Sequence, residues 1–320
     1  MNDTLHSFFK ENIEDLINQK HAFGYPYTTS SHHLINFDRF CYANYPQEKV
    51  LSKEIVLKWT QLHDSEHENG RKRRISALRE LAKFMNRNGI EAYILPNDWI
   101  GKEKQYVPHI FTREELTAFF AAADSFEYNK LCPARHLVIP VIFRVIYCCG
   151  LRPGEALNLK IENVYLDKGQ ITVLESKGHK SRHVMLSESV LNLCRKYREK
   201  SQYIFPNSEY FFPNHQGNSY SISRLDDLFW KCWNIADIKN STVPSPRPYD
   251  FRHTFTTECI NQWMKEGKDL NAWLPYLSSY LGHEHYSSTL YYFHLVPEFF
   301  PNMAKMNVEI PSDLISKVRI

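Results

Sequence analysis

The chain has 320 residues, is 43% hydrophobic and 23% charged, and carries a net charge of +3. That is ordinary globular composition at a length that favours two domains, and the near-neutral average names no partner, since a basic patch can hide within it. Seven cysteines, an odd number without a C-x-x-C pair, argue against a disulfide framework or a four-cysteine zinc site and fit a reducing cytoplasm.

Residues 1–20 include Asp3, Glu11, Glu14 and Asp15 and read as neither a signal nor a transit peptide. No apolar run reaches the roughly 18 residues of a membrane span, so no membrane association is expected. Ser7 to Gln19 reads as a first helix, with Phe8, Ile13, Leu16 and Ile17 at helical spacing. After a break at Gly24 to Pro26, Thr29 or Ser30 can cap a second helix running to about Tyr45. Ser52 to Leu62 suggests a third. Arg71 to Asn88 is the clearest, with Ile75, Leu78, Leu81, Ala82 and Met85 in one stripe and Gly89 as its stop. Lys72, Arg79, Lys83 and Arg87 fall in one narrow sector of that helix, and Arg71, Arg73 and Arg74 precede or open it. Such a row can track a phosphate backbone, or it can be a solvated face.

Asn97 to His109 reads as a linker, and Thr112-Arg-Glu-Glu opens a second unit with a capping box. The expected division is 1–101, a linker at 102–111, and 112–320. Helices are expected near 113–125 and 134–149. Two short β-runs follow, Gln170 to Leu174 and His183 to Leu186, flanked by turn signals. Further helices are expected near 187–199, 222–236, 252–266, 270–281 and 284–294. The fold class is therefore mainly α with a small β-sheet.

Four segments hold chemistry. In Gly150-Leu-Arg-Pro-Gly-Glu, Pro153 suits a first helical turn and Glu155 the positive end of its dipole, so Arg152 stands at a helix entrance where anions are welcome. Taken alone it could be a surface arginine. In Pro248-Tyr-Asp-Phe-Arg-His, Arg252 and His253 open another helix, where Arg252 could merely pair with Asp250. Lys177 is expected at a hairpin tip in Ser176-Lys-Gly-His, as a reaching cation or a solubilising turn residue. The fourth segment, Leu281-Gly-His-Glu-His, leads to Tyr291 and Tyr292. His283, His285 and His294 invite a zinc reading, but i, i+2 histidines share no helical face and no further ligand set is apparent.

In this order and combination the chain resembles the tyrosine recombinase, or phage integrase, family over roughly 112–295. The resemblance matches Arg152 to the first arginine box, Lys177 to the hairpin lysine, Arg252 to the H-x-x-R-H box and His283 to L-G-H. Tyr292, nine residues beyond His283, falls on the nucleophile, with Tyr291 beside it as an alternative. One departure stands out: the box's usual histidine is Tyr249, which can donate a hydrogen bond but is a poor base at neutral pH.

The resemblance implies an N-terminal helical core-binding (SAM-like) domain and an α/β catalytic domain that together clamp double-stranded DNA. It implies a homo-tetramer on paired sites and no cofactor or metal, with accessory DNA-bending proteins left open. Arg152 and Arg252 would grip the scissile phosphate, Lys177 would act as general acid, and a cationic pocket would ease ionisation of Tyr292. The tail holding Phe299, Phe300 and Met303 would pack on its own domain or a neighbour. Two rival readings are a type IB topoisomerase-like enzyme and a non-catalytic DNA-binding protein with a decayed site.

Overall fold

The computed structural model describes residues 5–64, 66–99, 107–176, 180–238 and 245–292. The chain divides into two compact units, Met1–Tyr106 and Val107–Ile320. The first holds α1 (Lys10–Ala22), α2 (Thr28–Asn44), α3 (Lys53–Trp59) and α4 (Glu68–Arg87). Their apolar stripes meet in one core around Phe9, Ile13, Phe37, Trp59, Leu78 and Leu81. The first helix starts later than its periodicity suggests. Buried Asp38 takes the amides of His6 and Ser7 at 2.7 and 2.9 Å, fixing the entering chain in a non-helical turn. The fourth starts earlier than expected, because the His67 ring caps it by accepting from the Asn69 amide at 3.3 Å.

The second unit contains α5 (Arg113–Asp124), α6 (Arg135–Cys149), α7 (Pro153–Leu157), β1 (Val164–Tyr165), β2 (Gln170–Ser176), β3 (Lys180–Met185), α8 (Glu188–Ile204), α9 (Ile222–Ile235), α10 (Asp250–Lys265), α11 (Leu270–Leu281) and α12 (Ser287–Leu290). Helix α5 opens on the expected capping box, Thr112 with Glu115. The three strands form an antiparallel sheet in the order β1-β2-β3. Among the described residues, no helix is long and apolar enough to cross a membrane.

An aromatic cluster of Phe111, Phe119, Phe143, Phe229, Trp233 and Phe251 forms the centre of this unit. Phe251 stacks on Phe111 at 4.6 Å, and the Thr254 hydroxyl accepts from the Phe111 amide at 3.0 Å. The first turn of α10 is thus pinned from two sides. Arg252 and His253 project from that turn.

Candidate active site

Arg152, Arg252 and His283 converge although each comes from a different segment. Helix α6 ends at Gly150 with φ +60°, a conformation glycine adopts cheaply. A Cβ there would stand 2.5 Å from the Phe255 ring. The freed Gly150 carbonyl accepts from Arg252 Nη1 at 2.8 Å, and Leu281 O accepts from its Nη2 at 2.6 Å. Arg152 sends Nη2 to Gly282 O at 2.8 Å and Nη1 to Glu155 Oε1 at 2.7 Å. A third guanidinium, Arg182, gives Nε to Tyr280 O at 2.7 Å and both terminal nitrogens to Glu155, at 2.9 and 2.7 Å. Three consecutive carbonyls at the end of α11 therefore hold three arginines. These are the acceptors a helix leaves unpaired at its negative pole, and they offset the crowding of cations.

Glu155 completes the balance. Burial pushes its pKa up, but the Arg182 bonds and charge, with help from the Arg152 amide and Arg252, hold it below the usual value. Arg252 is 0% exposed, and its Nε finds no hydrogen-bond partner among the described residues. Burial and then Arg152 depress its pKa, yet a guanidinium stays charged at any working pH. A buried cation with an unused donor beside a second guanidinium suits an anion.

Tyr292 follows α12 and is 3% exposed, packed with Ile260, Leu274, Leu277 and Leu281. Its ring lies 5.4 Å from that of His253 and stacks on His283 at 6.2 Å. Tyr291 is less buried but lines the same pocket of about 330 Å³ with Arg152, Tyr249, His253, His283 and Tyr292. A larger groove of about 890 Å³ shares Arg152 and Tyr249 and continues past Thr172 and Leu174 of β2.

The Arg252 charge eases Tyr292 ionisation in the expected direction, but burial outweighs it. Burial pushes its pKa to about 12, and the Arg252 charge only partly offsets this. At ~1.4 kcal/mol per unit, ionising that phenol at pH 7 costs about 7 kcal/mol. The two neighbouring imidazoles shift the other way. Burial, then Arg247, Arg252 and His283, bring His253 to about 3. Burial, then Arg252, Arg152 and Arg182, bring His283 to about 3. His283 Nδ1 also shares a 2.7 Å hydrogen bond with Thr289 Oγ1.

Lys177 lies outside the described residues, as does His294. Among the described residues no group of three or more His, Cys, Asp or Glu side chains could hold a metal ion. On α4, Arg73, Lys83 and Arg87 are exposed and Lys72 is half-buried. Arg74 is a correction: it is 4% exposed and bonds Glu66 and the backbone carbonyls of Trp59 and Gln61. Its position is four residues before Leu78 and seven before Leu81, on the apolar face, so it is spent on the protein's own loop. Arg71 donates to Thr60 O at 2.8 Å and Arg79 to Leu95 O at 2.8 Å, so both are partly engaged.

Sequence reasoning missed Arg182 and the clamp made by Glu155. Register pairs Arg182 with buried Val173 and Val184 with Ile171, so Arg182 is on the inward face of β3. A cation at an inward strand position needs a partner, and that signal was there to find.

The sequence pattern of the phage integrase family matches residues 109–298. A putative integrase/recombinase y4rB of Sinorhizobium fredii is 26% identical over 91% of this chain and 94% of its own. A tyrosine recombinase XerC of Staphylococcus carnosus is 29% identical over 61% of this chain and 60% of its own. Among solved structures, the XerH recombinase bound to palindromic difH, after cleavage, superposes with a TM-score of 0.65 at 21% identity, covering 87% of this chain and 78% of that one. A λ integrase (75–356) dimer bound to a COC′ core site gives 0.61 at 16% identity, covering 90% and 95%. The fold is theirs, and with a family pattern that spans more than half of its length this chain belongs to the phage integrase family of tyrosine recombinases.

Proposed function

We propose that the protein is a site-specific DNA recombinase that cuts and rejoins strands through a 3′-phosphotyrosyl bond on Tyr292. The observation that carries this is the meeting of Arg152, Arg252 and His283 around the Tyr292 ring. Phosphodiester transfer places charge on the non-bridging oxygens, and two fixed guanidiniums can receive it without a metal. Tyr292 Oη attacks phosphorus, the 5′-oxygen leaves, and Lys177 supplies its proton. His283 donates to the phosphate. Tyr249, which lines the same pocket, offers a phenol donor where relatives of this pattern have a histidine. One phosphodiester replaces another, so no ATP is needed, and attack by a different 5′-hydroxyl completes exchange.

Double-stranded DNA is the substrate; the XerH structure is bound to a palindromic difH substrate, the λ integrase dimer to a COC′ core site and the Tn1549 transposon integrase to circular intermediate DNA, which supports this. Phosphate contacts from Lys72, Arg73, Lys83 and Arg87 would add sequence-independent affinity. The working form is a tetramer on two paired sites, in the cytoplasm. The test is incubation with a nicked duplex carrying its cognate site, then a denaturing gel. Wild type should give a covalent adduct, in EDTA as well, and Tyr292→Phe none. Relaxation of any supercoiled plasmid without site preference would instead favour a type IB topoisomerase-like enzyme, and binding without nicking a decayed site.

A further inference from the structure

A phenol held near pKa 12 needs a proton acceptor, and position 249 supplies no imidazole. Two histidine rings flank Tyr292. His283 has one nitrogen committed to Thr289. His253 does not: its Nδ1 is buried with no hydrogen-bond partner among the described residues, and its ring lies 5.4 Å from Tyr292 and 5.1 Å from Tyr249. On its other side, Nε2 lies 4.0 Å from Oδ1 of Asp250, which is 0% exposed. A carboxylate facing Nε2 favours the ring proton there, which leaves the Nδ1 lone pair open. The aromatic core beneath Phe251 fixes this turn, and the Thr257 hydroxyl donates to the His253 carbonyl at 2.9 Å.

We propose that His253 is the general base that takes the Tyr292 proton as Oη attacks the scissile phosphate, the role that a phenol at position 249 cannot fill. This rests on the recombinase reading above. The O–H bond of Tyr292 breaks to Nδ1 while the Oη–P bond forms; the P–O5′ bond breaks, and that oxygen takes its proton from Lys177. The transfer leaves one imidazolium, which the next step discharges when the phosphotyrosine bond is reversed and Oη regains its proton. Burial, then Arg247, Arg252 and His283, press the His253 pKa down, while Asp250, Tyr249 and Tyr292 also face it. The ring is therefore neutral, the accepting form, in the working range, but a weak base until substrate binds. A phosphodiester bound at Arg152 and Arg252 brings negative charge that makes it more basic.

The experiment compares single-turnover cleavage of a nicked duplex bearing either the natural oxygen or a 5′-bridging sulfur at the scissile phosphate. The sulfur leaves without a proton. Lys177→Ala should be slow on oxygen and restored by sulfur. His253→Gln and His253→Asn should be slowed roughly 10²–10³-fold on both, as loss of a general base predicts. 3-Fluorotyrosine at position 292, a more acidic phenol, should narrow that gap, which a merely structural defect would not allow. In the unaltered protein, cleavage should stay level between roughly pH 6.5 and 8.5; a tenfold rise per pH unit would mean hydroxide is the base and overturns the proposal. Wild-type rates in both His253 variants, or their rescue by sulfur, also overturn it. No adduct from the unaltered protein sinks the recombinase reading itself, and an adduct with an indifferent His253 sinks only this assignment.

Discussion

Arg252 has no contact with solvent, yet its guanidinium is aimed by two backbone carbonyls and its Nε has no hydrogen-bond partner among the described residues. Lysine at that position keeps the charge but loses the planar fork. Arg252→Lys should lower the rate of adduct formation by roughly 10²–10³-fold, the usual cost of removing an aimed donor to a transition-state oxygen. Single-turnover cleavage alongside a circular dichroism spectrum checks this, and wild-type rates in a folded protein would contradict it. Tyr249→Phe removes only a hydroxyl. If that hydroxyl donates to the phosphate, cleavage should fall roughly 10–100-fold, since bonds to charged groups are worth about 1.5–3 kcal/mol. The two depressed histidines make a prediction about stability. His253 and His283 have folded pKa values of about 3, below the ordinary value of 6.5, so the unfolded chain binds more protons between those limits. Their neutral burial therefore favours the fold fully above about pH 6.5, and that contribution is lost as pH falls towards 3. Urea midpoints should drop across this acid window, and less steeply in His283→Gln; equal slopes would refute the linkage.

At the scale of elements, the site hangs on the ends of two helices. Gly150 ends α6 and Gly282 ends α11, both left-handed, and both carbonyls hold arginines of the candidate site. Gly150→Ala would add strain of about 1–3 kcal/mol and drive a Cβ into the Phe255 ring, 2.5 Å away. Its urea midpoint should fall, and so should its cleavage rate, because the carbonyl that aims Arg252 must shift. Much of this was legible in the sequence: the capping box at Thr112, the stop at Gly89, the stripe of α4 and the hairpin pattern all rest on local rules. Contacts between distant segments were not. Arg182 meets Glu155 across 27 positions, and nothing in either segment's local pattern pairs them. Arg74 was misread because it was grouped with the cations that open the helix, whereas its spacing from Leu78 and Leu81 puts it on the apolar face, where it meets Glu66 and the carbonyls of Trp59 and Gln61. The same logic separates two kinds of variant on α4. Lys83→Ala or Arg87→Ala should weaken DNA binding and reduce the magnitude of its salt slope by about 1 each. Arg74→Ala should lower the melting temperature instead, since it uncovers Glu66.

For the whole molecule, the net charge of +3 is modest, so DNA affinity must come from local concentrations of cations rather than from overall attraction. Binding should fall steeply with added salt, as counterion release requires. The family was readable because four short segments keep their order over the chain. The ionisation state of the nucleophile was not, because burial of Tyr292 behind Leu277 and Leu281 depends on how α11 and α12 pack. That burial makes the proposal specific: of the three tyrosines lining the pocket, the buried Tyr292, flanked by the rings of His253 and His283, is the one expected to carry the DNA. The most direct test is to trap the adduct on a nicked duplex, digest it with trypsin and nuclease, and locate the residual nucleotide by tandem mass spectrometry. It should be found on Tyr292. A nucleotide on Tyr291, or on any residue outside this pocket, would contradict the account.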